Sequence, residues 1–136
     1  MEGHAEQCVE RYLELANMEL SSLKPVSTPS IDDHQIAPED FEMKGILSPV
    51  AAKIVLKALY LGRLVRFDIL YSVNLLAREV TRWTVACDKR LHRLISYIHH
   101  TKEFVVTAFV GDKLEDCWLA LFVDASLAGD RRRSEE

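Results

Sequence analysis

The stretch from Cys117 to Asp130 constrains the fold more than any other. Six apolar residues, Trp118 to Val123, run without a polar interruption and end on a carboxylate, Asp124. A run of this length, with charge before it and Gly after it, reads as a strand buried on both faces. A carboxylate at the end of such a strand is costly to bury unless a cation or a hydrogen-bond donor meets it. Asp124 therefore either reaches the surface and caps the turn at Ala125-Ser126, or serves as a metal or catalytic carboxylate.

A second strand is predicted just before it. Residues 103–110, Glu103 to Val110, are rich in β-branched and aromatic side chains. Gly111-Asp112-Lys113 supplies turn chemistry, so the expected arrangement is an antiparallel hairpin. A strand buried on both faces needs neighbours on both edges and a layer on each face. One neighbour and a few helices do not provide them. The expectation is an incomplete sheet, completed by another molecule through residues 117–124 or by a longer parent.

The rest of the chain reads as helical. Apolar spacing predicts a loosely attached helix over residues 4–20. All four prolines fall within residues 21–49, among acidic and small polar residues, and mark a surface linker. Ser48-Pro49 is expected to open a helix that ends near Gly62. Ile69, Val73, Leu76 and Val80 form the stripe of a second helix, and Cys87 to His100 forms a third. The predicted class is α+β, with an N-terminal helix (1–23), a Pro-rich linker (24–47) and a three-helix packed unit (48–102). A hairpin (103–130) and a polar tail (131–136) complete it.

The 136 residues suggest one domain. No apolar run reaches the length of about 18 residues that a transmembrane helix needs, so no membrane partner is expected. Three widely spaced cysteines suit a reducing, intracellular compartment, cytoplasmic or nuclear. The net charge of -4 hides a split: residues 1–43 carry 10 acidic and 2 basic side chains, and residues 44–113 carry 5 and 12. Within that basic middle, Lys53, Lys57, Lys89, Arg90 and Arg93 are candidate phosphate contacts, which require only positive side chains on a shared surface. The alternative is an ordinary solvated helix surface.

Other chemistry finds little footing. His92, His99, His100 and Cys87 do not share a face spaced for zinc. No glycine-rich phosphate loop and no nucleophile–histidine signature occurs. Trp83 and Trp118 read as core or core-edge residues rather than base-stacking platforms.

Three motif groups, in order, resemble the pol polyprotein of copia-type LTR retrotransposons. The first is Tyr12-Leu13 followed by Lys24-Pro25-Val26-Ser27-Thr28-Pro29, similar to the end of the reverse transcriptase palm. The second is Leu59-Tyr60-Leu61-Gly62-Arg63, Arg66-Phe67-Asp68-Ile69 and Ser72-Val73-Asn74-Leu75-Leu76-Ala77-Arg78. It continues through Lys89-Arg90-Leu91-His92-Arg93-Leu94 to Tyr97-Ile98 and Thr101-Lys102. The third, Val123-Asp124-Ala125-Ser126-Leu127-Ala128-Gly129-Asp130, looks like the start of an RNase H domain.

The resemblance implies a thumb and connection region lying against template–primer, an RNA–DNA hybrid or DNA. It also implies that residues 117–124 form the first RNase H strand. Asp124 would then be a catalytic carboxylate holding Mg²⁺ in the intact parent, where paired metals assist phosphodiester hydrolysis. The sequence departs from the pattern: Phe67 stands where the family has Pro, and Ser126-Leu127 replaces an acid and Trp. No polymerase motif and no further RNase H carboxylates are present. The parent resembles an RNA-directed DNA polymerase and ribonuclease H; this chain alone is expected to need no cofactor and to be inactive. The rival reading is a small helical interaction module that dimerises through residues 117–124. A third, an independent hydrolase using Asp124, has least to recommend it.

Overall fold

A computed structural model describes residues 3–123. The chain divides into two units, Met1–Val106 and Thr107–Glu136.

The first unit is built from four α-helices: α1 (His4–Ala16), α2 (Ala51–Leu64), α3 (Leu70–Ala77) and α4 (Val85–His100). The core forms where their apolar stripes meet. α4 contributes Leu91, Leu94, Ile95 and Ile98, all fully buried; α2 contributes Ile54, Val55, Ala58 and Leu61. Ile69, Val73 and Leu76 close the core from the α3 side, and Leu23, Leu47 and Trp83 cap its edges. Each fully buried side chain of this size contributes about 1.5–3 kcal/mol relative to exposure.

Several predicted boundaries shift for local reasons. α1 stops at Ala16, because Asn17 takes a left-handed φ of 53° and returns its N–H to Leu13 and Glu14 carbonyls. Asn tolerates that conformation and ends helices with it. Nor is α1 loosely attached: Cys8, Val9 and Tyr12 are buried in the shared core. α2 begins at Ala51 rather than at Ser48-Pro49 and runs past Gly62 to Leu64. Gly62 lies within the helix beside Ile69 and Leu70, where a Cβ would sit 3.4 Å or more from its nearest neighbours. α4 begins at Val85, two residues before the predicted start, because the Thr84 hydroxyl accepts the Cys87 N–H as an N-cap.

The predicted β-hairpin is absent. Among the described residues, the one β-type pairing is an isolated antiparallel bridge between Lys44 and Thr84. Residues 104–110 and 117–123 are irregular and exposed, and the turn between them is a short 3₁₀ segment, Leu114–Asp116. Leu119 is 95% exposed and Phe122 91%, so the run expected to be buried on both faces is buried on neither. Trp118, expected at a core edge, is exposed as well, whereas Trp83 is buried. The cause lies in what β-propensity measures, which is fit to a pleated, half-buried surface. No such surface covers these residues here, and a bare hairpin is marginal in water. An RNase H-like sheet therefore has no counterpart in residues 103–123, and Asp124 lies outside the described residues.

Candidate functional site

Two polar constructions stand out, and α4 belongs to both. The first is centred on Arg66, at the corner between α2 and α3. Its side chain is only 3% exposed, yet it carries a full charge. Arg66 Nε donates to Asp68 Oδ1 at 3.0 Å, and Nη2 donates to Asp68 Oδ2 at 2.9 Å. Nη1 reaches the Thr101 carbonyl at 3.0 Å, and Nη2 also reaches Thr101 Oγ1 at 2.6 Å. The Tyr97 hydroxyl donates to Asp68 Oδ2 at 2.8 Å, and Thr101 Oγ1 donates to the Tyr97 carbonyl at 2.6 Å. The guanidinium also lies 5.5 Å from the Phe104 ring centre.

The geometry follows from position. Thr101 caps the C-terminal end of α4, where unpaired carbonyls favour a cation. Asp68 sits two residues past Arg66 and meets its fork in bidentate fashion, the arrangement that suits a guanidinium. Partial burial alone would raise the Asp68 carboxyl. The hydrogen bonds from Arg66 and Tyr97 outweigh it and hold that carboxyl below its ordinary value. Burial and the bond to Asp68 push the Tyr97 phenol upward. These hydrogen bonds are internal, so the network orients two helices rather than presenting a reactive group.

The second construction runs along the polar side of α4, where the proline-rich linker lies as a strap. His100 Nε2 donates to the Leu23 carbonyl at 2.9 Å, and His92 Nε2 to the Ser22 carbonyl at 3.1 Å. Because His92 donates through Nε2, its Nδ1 accepts from the Tyr12 hydroxyl at 2.7 Å. Arg93 holds Thr28 twice, Nε to the carbonyl at 2.9 Å and Nη2 to Oγ1 at 3.0 Å. Arg90 pairs with Asp33 and Lys89 with Asp40.

The strap ends at Asp88. That carboxylate accepts from Ile46 N at 2.7 Å, Leu47 N at 3.2 Å and Trp83 Nε1 at 2.6 Å. From Thr28 onward, contact positions rise along the strap as they fall along α4, so the two segments run antiparallel. Gly45 lies where the strap crosses Thr84; a Cβ there would sit 2.6 Å from the Thr84 carbonyl oxygen. Glycine is needed at that crossing for close backbone approach.

The five candidate phosphate contacts thus separate. Lys89, Arg90 and Arg93 are brought together, but on the strap. Lys53 stays exposed on α2, and Lys57 is half-buried on its α1 side, where Nζ donates to the neutral Gln7 side chain at 3.3 Å. Sequence reasoning gave no role to Arg66, Asp68, Tyr97, Thr101, Asp33 or Asp40. One signal was present: a lone Arg-x-Asp between two apolar stripes.

No protein family, curated protein or solved structure matches this chain.

Among the described residues, no three His, Cys, Asp or Glu side chains converge to hold a metal ion. None of their helices is long and apolar enough to cross a membrane. Cys8 and Cys87 are buried free thiols, and burial pushes Cys8 up to about 11 despite the nearby Lys57. A thiol so placed is a core side chain rather than a nucleophile.

Proposed function

We propose that this chain is a segment of a copia-type retrotransposon reverse transcriptase polyprotein. Its helical unit contributes template–primer backbone contacts and no catalysis of its own. One observation carries the reading. The residues quoted for the resemblance include Arg66 and Asp68 in one motif and Tyr97 and Thr101 in its continuation, and these four side chains meet in one hydrogen-bonded network. The proposal stops at the helical unit, since residues 117–123 do not form an RNase H strand.

The test is fluorescence anisotropy of the full chain with a labelled RNA–DNA hybrid at several salt concentrations. The reading expects binding that weakens steeply with salt, as phosphate contacts release counterions. Absence of binding, or binding indifferent to salt, contradicts it.

A second reading, an interaction module, is favoured by one separate observation: residues 117–123 are apolar and exposed. Such a segment offers a backbone edge to a second copy. Sedimentation of wild type and the Leu119→Lys/Phe122→Lys variant separates the readings. Dimerisation lost in the variant and unaffected by hybrid favours the module.

A further inference from the structure

The strap sorts the basic residues of the helical unit into two kinds, and this difference locates a surface. On α4, Lys89 and Arg90 face carboxylates at short range, and Arg93 is committed to a carbonyl and a hydroxyl. A phosphate approaching that face meets Asp33 and Asp40 along with the cations, so the attraction is largely cancelled. On α2 the situation is reversed. From Met43 to Phe67 the sequence contains no Asp or Glu. Lys53 and Arg63 are exposed on α2 and Lys57, one turn from Lys53, is half-buried and donates to Gln7; among the described residues none of the three forms an ion pair. Tyr60 lies between them, 54% exposed, its ring 5.1 Å from that of His4.

Unneutralised cations on one face attract a polyanion through their local field, whatever the net charge of the chain. Resting on the reading proposed above, we infer that the outer face of α2, through Lys53, Lys57 and Arg63, is the surface that docks a nucleic-acid backbone. The α4 cations are positioning residues that hold the strap. The charge complementarity argues for a phosphate backbone; Leu56 and Leu64, also exposed on α2, leave an anionic lipid surface as the competing occupant.

The experiment compares full-length wild type with Lys53→Ala/Lys57→Ala/Arg63→Ala and with Lys89→Ala. The probes are a labelled RNA–DNA hybrid and vesicles of phosphatidylcholine and phosphatidylserine. The substituted side chains are exposed or half-buried and outside the core, and circular dichroism checks that each variant folds. The α2 variant is expected to bind the hybrid at least about tenfold more weakly, with a salt slope shallower by about 2–3. Lys89→Ala is expected to change affinity less than about twofold, and no binding to vesicles is expected. If the α2 variant binds like wild type while Lys89→Ala loses affinity, the inference fails and the reading it rests on survives. If wild type binds no hybrid, both fail. Binding to vesicles and not to hybrid also overturns the inference.

Discussion

Leu94 and Leu119 are the same residue in two regions with opposite outcomes. In the helical unit, apolar residues recur every three or four positions, and each stripe finds another stripe to cover it. Leu94 is 0% exposed as a result. In residues 104–123, apolar residues are consecutive rather than periodic, and Leu119 is 95% exposed. The hydrophobic driving force per residue is the same in both places. What differs is whether the pattern generates its own partner. A helical stripe needs only another helix from the same chain. A continuous β-type run needs an edge on each side and a layer on each face.

Substitutions on the two sides should behave differently. Leu94→Ala should have the largest effect, a loss of about 2–5 kcal/mol read by chemical denaturation, because it leaves a cavity in a packed core. Arg66→Ala should cost about 1–3 kcal/mol, since it removes the guanidinium that hydrogen-bonds both Asp68 and Thr101. Gly45→Ala should cost about 1–3 kcal/mol by forcing the strap away from Thr84; a neutral result would mean that the strap is not held there. Acid should act through Asp68. Its carboxyl is held below the ordinary 3.8, so it contributes stability above that pH and loses it as pH falls through the lower folded value. Thermal midpoints taken from about pH 5 to about pH 2 should fall, with a shallower fall in Asp68→Asn. Leu119→Ala, the counterpart of the first change, should shift stability by less than about 0.5 kcal/mol.

Those contrasts also mark what the amino-acid order reveals. α2, α3 and α4 were legible because their stripes repeat at the helical period and packing needs little more. Their ends were less so: Asn17 and Thr84 act through single hydrogen bonds that a periodic pattern does not display. Docking of the strap was illegible for a different reason. Asp33 meets Arg90 and Asp40 meets Lys89 across long sequence separations, and neither partner lies in a repeating pattern. The linker's prolines and acids describe a surface segment correctly, but not which surface it lies on.

The basic residues were legible as charges and not as roles, since the strap decides which of them meet a carboxylate. Arg66 was visible as part of a likeness to a known motif; its task appeared only when Thr101 and Tyr97 came into contact with it. The β-run misleads because its composition reports a preference for a covered, pleated setting, and the covering is missing.

Hydrogen exchange on the full chain, at a concentration low enough to keep it monomeric, tests most directly whether the helical unit is self-sufficient while the apolar run stands uncovered. The prediction is slow exchange for the α4 amides from Leu91 to Ile98 and exchange at unprotected rates from Thr107 to Val123. Protection of residues 107–110 and 117–123 comparable to that of α4, in the monomer, would contradict it.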